Sequence, residues 1–545
     1  IFLPPRRPEG FSAHPMPAVS EIQGVSQLLI LEGAALLLVF VLFGALAALC
    51  AARKKRTGHA PRSLSLFSAD LGLLSSRRNS RALLEHVRGW AGEEGGVLRL
   101  QLPFNLKTFY CIADPVLMRQ MCVSHNDCYT KMHAYGVLET FRKTRLSYSG
   151  KGKASEAGGS DAWPVVHQLV SQLLRRPDDR ALFQAQIDPL IDGFVHQLKA
   201  HEMADFAVAF RSFYWNVVLV EVLGETDEEL RRLYEGAWKA VIEQIDDPLT
   251  HTVWFWHRLP FLRNIRFRSL CHALRTAVRQ RIAAHPSDRP WCAIAHLNAS
   301  HPSMSLEDRT EVILELLFTG AASVSTTIVW TLWHLAQDEN CQWQGLVRDE
   351  IHRVCGLSRH AVGFEHVDRL PILHGVLLET LRMYPPIHIG RKVVEDHTLG
   401  ETLAMRKGCD VFTNPWLVHR DESIWEKPHS FDPSRFLTVD GSQQGQQEAL
   451  PSSTARVSPP RHTKGAHGHS PVFFPFSIGK RGCPGSGVAF PLMKLILAKL
   501  LADHTCVRAE GAPEASTEPS LMLPLTPVKV YVRLESAADG KSCGG

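Results

Sequence analysis

The pattern of apolar and polar positions divides the chain into unlike stretches. Gly33 to Ala52 is an uncharged run of Ala, Leu, Val and Phe, about as long as a helix needs to span a bilayer. Arg53-Lys-Lys-Arg56 follows at once, which places that end in the cytosol. A cleavable signal peptide is the alternative, suggested by Ala45-Leu-Ala47. The length of the run, the lack of a basic stretch before it and the basic exit favour a retained anchor. Residues 1–24 then read as a short lumenal tail, 25–52 as the anchor and 53–63 as a basic linker. Beyond the linker, Arg81–Trp90 is amphipathic, and Val97–Leu102 with Thr108–Ile112 reads as a strand pair before Asp114-Pro115. Helical periodicity dominates to about Pro386, a turn- and strand-rich interval runs from Arg391 to Asn414, and Val488–Leu501 is again helical. Alternation at Val528, Val530 and Val532 reads as strand. These patterns predict a mainly α body with a small β region over 64–535 and a disordered tail at 536–545.

One interval breaks the pattern. Residues 438–470 are rich in Gln, Ser, Gly, Pro and His, too polar to fold alone, and read as a flexible insertion. His462, His467 and His469 within it fit a solvated loop better than a metal site. Asn298-Ala-Ser300 matches a glycosylation sequon, which a cytosolic domain leaves unmodified.

Composition narrows the function. The chain has 545 residues, 45% of them apolar, enough for a large core. A net charge of +5, with no basic block interleaved with aromatics, gives no sign of nucleic acid as a partner. The twelve cysteines show no C-x-x-C pairs, and most read as free thiols in a reducing compartment.

The most informative stretch is Phe476-Ser-Ile-Gly479-Lys-Arg481-Gly-Cys483-Pro-Gly485. Glycines let the backbone bend sharply and present one sulfur to a flat ligand, and a helix beginning just after it directs amides toward that sulfur. The alternative is a buried structural cysteine in a turn. The stretch resembles the haem-binding loop of the cytochrome P450 family, F-x-x-G-x-R-x-C-x-G, at every fixed position. The resemblance implies haem b (iron protoporphyrin IX), with Cys483 as the axial thiolate that favours O–O cleavage. Glu379-Thr-Leu-Arg382 is similar to the family's E-x-x-R, and Phe431-Asp-Pro-Ser-Arg435-Phe436 to its P-E-R-F segment. Together they imply a buried structural triad of Glu379, Arg382 and Arg435. Trp163 and His167 look like the W-x-x-x-R that meets a haem propionate, with His in place of Arg; a surface aromatic and a solvated His are the alternative. Arg391 and Arg481 are the further propionate candidates, since guanidinium groups bind carboxylates bidentately. The segment Ser520–Arg533 is similar to the family's C-terminal hairpin.

Two departures stand out. Pro491 lies one turn into the helix after the Cys loop, so that helix either starts late or kinks. Thr319-Gly-Ala-Ala322-Ser323 stands where the family usually shows [A/G]-G-x-[D/E]-T. Ser323 can donate a hydrogen bond, but Ala322 cannot relay a proton. The alternative is that these hydroxyls only bond the preceding turn.

The resemblance, which covers about Leu64 to Leu534, implies a P450 fold behind a single transmembrane helix, in the endoplasmic reticulum with its haem domain cytosolic. It implies monooxygenation of a lipophilic small molecule of sterol, fatty acid or terpenoid type. Electrons would come from NADPH–cytochrome P450 reductase, with cytochrome b5 as a second donor. Two rivals remain: a haem-thiolate isomerase or dehydratase acting on hydroperoxides or endoperoxides without NADPH, and a non-catalytic haem sensor or carrier.

Overall fold

The computed structural model describes residues 96–101, 108–131, 163–200, 206–245, 258–286, 289–439, 455–457, 472–508, 516–517, 527–529 and 532–536. The expected anchor, its flanks and the amphipathic Arg81–Trp90 lie outside them. The chain divides into a small unit, Ile1–Ala60 with Arg258–Arg266, and a main one, Pro61–His257 with Phe267–Gly545. In the small unit the described part is Arg258–Arg266, where the Asn264 amide donates to Leu259 O at 3.2 Å.

The helices are α1 (Pro115–Arg119), α2 (Trp163–Gln172), α3 (Pro177–Ala200), α4 (Phe206–Leu223), α5 (Glu228–Ile245), α6 (Leu262–Ala283), α7 (Ala293–Ser300), α8 (Leu306–Leu335), α9 (Cys341–Cys355), α10 (Pro371–Met383), α11 (Pro415–His419) and α12 (Ser486–Asp503). Their starts follow the local sequence. Asp114 caps α1 by accepting Leu117 N–H at 2.7 Å, with Pro115 at the first helical position; Asn414 and Pro415 do the same for α11. Proline there loses nothing, because its missing N–H would have had no intrahelical partner. Ser305 caps α8, accepting Asp308 N–H at 3.1 Å while its hydroxyl donates to the Asp308 carboxylate at 2.7 Å. α10 ends at Met383, where Pro385 and Pro386 force an extended chain.

α4 and α8 are long and apolar enough to cross a membrane by length and composition, yet most of each is buried within the main unit. They pack on each other, and α8 also meets α2, α10 and α12. One apolar cluster joins these helices with α3 and α9.

Five strands form the main sheet, in the order β1 (Val97–Gln101), β2 (Thr108–Ile112), β7 (Asp410–Thr413), β4 (Ile389–Val393), β3 (Tyr129–Lys131). β2 and β7 run parallel and the other neighbours antiparallel, with Arg391 opposite Val411 and Ile389 opposite Thr413. β5 (His397–Leu399) and β6 (Leu403–Met405) make a hairpin between β4 and β7. The sheet covers a second cluster that includes Ile112, Met121, Cys122, Val411, Trp425 and Phe474.

At three places the fold is more definite than the sequence. The interval 438–470 is not loop from its start: β8 (Leu437–Val439) pairs antiparallel with β9 (Ala455–Val457), because Leu437 and Val439 continue the apolar alternation. The described strands of Ser520–Arg533 find their partners upstream of the segment. β12 (Pro527–Lys529) pairs with β11 (Ser516–Thr517), and β13 (Val532–Ser536) pairs with β10 (His504–Arg508). The helix after the Cys loop does not start late: α12 begins at Ser486 and runs through Pro491. Pro491 has no N–H to offer the Gly487 carbonyl one turn back, and buried apolar side chains from Leu492 to Ala502 hold the helix regardless.

Glu350 of α9 replaces a missing cap on α10, where Leu370 offers no side-chain bond. Its two carboxylate oxygens accept Ile372 N–H at 2.8 Å and Leu373 N–H at 3.0 Å. Burial outweighs these bonds and pushes the carboxyl up to about 7 from the ordinary 4.5. The folded state therefore holds this proton more tightly than the unfolded state. That contribution is fully present below about pH 4.5 and is lost as pH rises through about 7. We expect urea unfolding between those limits to show wild type losing on the order of 2–3 kcal/mol relative to Glu350→Gln as pH rises. A wild-type-to-variant difference that stays constant across the window would refute the assignment.

Candidate functional site

The Cys loop is a sequence of tight turns closed by its own backbone. Ser477 and Gly479 both lie in the left-handed region, at φ 62° and 76°. At Gly479 the requirement is double, since an added Cβ would lie 2.2 Å from the Cys122 carbonyl oxygen. Ser477 N–H donates to Phe474 O at 3.0 Å, Gly482 N–H to Gly479 O at 2.9 Å, and Cys483 N–H to Phe476 O at 2.8 Å. Gly485 N–H then donates to Cys483 Sγ at 3.3 Å, one residue before α12 begins. The sulfur thus sits at the positive end of an 18-residue helix. Cys483 is the exposed cysteine among those described; the others are buried or half-buried. Burial pushes the thiols of Cys111 and Cys271 up to about 12, which leaves them inert. Behind the loop, the half-buried Phe476 ring meets Phe490 at 5.2 Å between centroids, and Phe490 meets His374 at 4.6 Å.

α8 is buried on nearly every side except at one short face. Thr319 is exposed and Gly320, Ala322 and Ser323 are half-buried, between buried Leu314–Phe318 and buried Val324–Leu332. A Cβ on Gly320 would meet nothing within 4 Å. Hydroxyls along the helix bond backward: Thr319 to Glu315 O at 2.8 Å, Thr327 to Ser323 O at 2.8 Å, Thr331 to Thr327 O at 2.8 Å. Ser323 is the least committed, its hydroxyl 3.5 Å from Thr319 O. Ser325 is buried and bonds Ala321 O and Ala322 O, so it does not serve the open face; Thr326, buried, follows Ser323 by one turn. Two acids of α8 are committed elsewhere. Asp308 is tied to its cap, and Glu311 pairs with Arg275 of α6. They stand about 22 and 18 Å along the axis from Ser323.

The chain from Thr108 to Arg533 matches the family model described as Cytochrome P450. It belongs to the cytochrome P450 family. Similar proteins include Cytochrome P450 84A4 of Arabidopsis thaliana, 28% identical over 39% of this chain and 37% of the relative. Iridoid oxidase of Catharanthus roseus is 32% identical over 35% of this chain and 32% of the relative. Mitochondrial sterol 26-hydroxylase of Homo sapiens is 24% identical over 66% and 68%. The match spans about a third of the length of the plant relatives. In fold, the P450 resembles the retinoic acid-bound cyanobacterial CYP120A1, with a TM-score of 0.64 at 19% identity, over 82% of this chain and 93% of that one.

Membership brings haem as the cofactor, and one buried guanidinium suits an anion. Arg391 on β4 is 5% exposed; its Nη1 donates to Gly390 O at 3.0 Å, and its Nη2 is buried with no partner among the described residues. Burial draws its basicity down, with Cys122 opposing. A buried guanidinium short of one bond suits an anion brought by a ligand. Arg481 is half-buried in the turn Gly479–Arg481, and His167 is exposed on α2. Val170, one turn on from His167, lies 4.0 Å from where a Gly485 Cβ would be, so α2 passes beside the Cys loop. Trp163 opens α2, and its side chain lies outside the described residues.

Glu379, Arg382 and Arg435 meet in the core at 0%, 0% and 2% exposure. Arg382 grips Glu379 bidentately at 2.7 and 2.8 Å and also donates to His419 O, Pro428 O and Ser430 O. Arg435 Nε stands 3.4 Å from Glu379 Oε1, an ion contact longer than the Arg382 bonds. Sequence reasoning missed Cys122 and Val170, the neighbours of the Cys loop. Cys122 acts through a backbone carbonyl, and Val170 is one apolar residue among many.

Proposed function

We propose that this P450 is a haem-thiolate monooxygenase of lipophilic small molecules, of sterol, fatty acid or terpenoid type. The observation that carries this reading is the exposed Cys483 sulfur, held by Gly485 N–H at the start of α12. Bound haem supplies the redox chemistry: one atom of dioxygen enters a C–H bond and the other leaves as water, with two electrons from NADPH and two protons. Cys483 would ligate the iron. Arg391 would neutralise one propionate, with Arg481, His167 and Trp163 the other candidates for the carboxylates. The open face of α8 would stand over the haem, where Gly320 and Ala322 leave room for substrate and Ser323 directs a hydroxyl. Electrons would come from NADPH–cytochrome P450 reductase, with cytochrome b5 as an additional donor. The names of the relatives, drimenol monooxygenase and ferruginol synthase among them, support a terpenoid or sterol substrate. Gly33–Ala52 supports a single-pass anchor in the endoplasmic reticulum, with the body cytosolic.

A second reading, rearrangement or dehydration of hydroperoxides without NADPH, is favoured by Ala322, which puts a methyl where a proton-relaying acid would stand. One experiment separates the two. With reductase present, a monooxygenase consumes NADPH and dioxygen in step with product. In that case Ala322→Glu should raise product formed per NADPH and lower peroxide release. General acid catalysis bounds the gain at about 10²–10⁴-fold, and burial that keeps the new carboxyl protonated reduces it. High coupling in wild type, unchanged by the acid, would show that the proton comes from elsewhere. Turnover of a hydroperoxide without NADPH, with no oxidation of any lipophile tried with it, would sink the monooxygenase reading.

A further inference from the structure

We propose that His419 is a positioning residue for Cys483, its imidazole tying the lead-in of the Cys loop to the Glu379–Arg382 cluster. The inference rests on Cys483 being the haem ligand. His419 ends α11 and is fully buried. It is bonded in two directions. Its carbonyl accepts Arg382 Nη1 at 2.8 Å, and its ring Nε2 accepts Phe474 N–H at 3.1 Å. The second bond places the ring proton on Nδ1.

From Phe474 the bonding continues into the loop. Phe474 O accepts Ser477 N–H at 3.0 Å, which closes the left-handed turn, and Phe476 O accepts Cys483 N–H at 2.8 Å. A run of short bonds therefore leads from Glu379 through Arg382, His419 and Phe474 to the turn from which the cysteine projects. The acceptor is dependable. Burial, with the Arg382 charge, lowers the His419 pKa to about 3, so the ring stays neutral at any ordinary pH and Nε2 keeps its lone pair. Phe473 and Phe474 confine the ring, at 5.1 Å and at 5.0 Å edge-on.

A packing role and a hydrogen-bonding role predict different results. Leucine fills much of the space but accepts nothing. Glutamine reaches with its carbonyl about where Nε2 sits, whereas asparagine is shorter and matches Nδ1. The test uses the full chain loaded with haem, reduced and bound to carbon monoxide. Its readouts are the share of thiolate-type absorption and the thermal unfolding of the same samples. His419→Leu and His419→Asn should lose most of the thiolate-type band at a temperature where both remain folded, and His419→Gln should keep it. Retention of the band by leucine, or loss in glutamine equal to that in leucine, would overturn the proposal. If leucine does not fold, the asparagine–glutamine pair decides: equal bands in the two would equally overturn it. Failure of wild type to give a thiolate-type band would instead remove the Cys483 reading beneath it.

Discussion

Replacing Cys483 by alanine is expected to abolish the thiolate-type absorption of the reduced, carbon monoxide-bound protein and all turnover with it. No other described cysteine can substitute, since the rest are buried or half-buried. The backbone of the loop does not depend on the sulfur. Its turns are fixed by Ser477, Gly479 and Gly482, and the bond from Cys483 N–H to Phe476 O uses the main chain. Cys483→Ala should therefore unfold at nearly the wild-type temperature before haem is added, which separates loss of ligation from loss of fold. An unaltered thiolate-type spectrum in the variant, or a histidine-type spectrum in wild type, would remove Cys483 from the site.

The largest effect on stability is expected at Glu379. Glu379→Ala leaves Arg382 and Arg435 as buried cations without their shared carboxylate, and it removes the acceptor of Asp432 N–H at 2.9 Å. Breaking one partner of such a buried cluster costs about 3–5 kcal/mol, against a total stability of about 5–15 kcal/mol for a folded domain. The variant should therefore unfold at a much lower urea concentration than wild type. Arg382→Met is a useful companion, because it also frees three carbonyls that the guanidinium satisfies. Equilibrium unfolding in urea checks both, and a loss below about 1 kcal/mol for Glu379→Ala would place the cluster outside the set of buried pairs that matter.

Much of this was legible in the sequence because local chemistry dictated it. The Cys loop needs glycine where the chain turns left-handed, so Gly479 marks its place in any reading. Alternation at Val97–Leu102 and Thr108–Ile112 marked a strand pair, which the structure forms as β1 and β2. Features that depend on distant neighbours were hidden. Strand pairing is set by which edge lies free in space, so the alternation at Val528 to Val532 named strands but not their partners. Burial of Arg391 follows from the cluster that the sheet covers, and nothing beside it in sequence signals that. The partners that hold Asp308 and Glu311, Ser305 and Arg275, are likewise set by the fold. Pro491 was read as an obstacle to α12, yet the packing of the turns beyond it outweighed one missing bond.

The pairing of β8 with β9 has a consequence for how this P450 tolerates change. The chain leaves through Leu437–Val439 and re-enters through Ala455–Val457, directly opposite. The two ends of the segment 440–454 are thereby held opposite each other. Where ends are held in this way, closure entropy grows only with the logarithm of the length between them, and doubling that length costs about 0.6 kcal/mol. A change of length between these paired ends is expected to leave the β8–β9 pairing in place. The β8–β9 pairing thus marks a natural port for engineering.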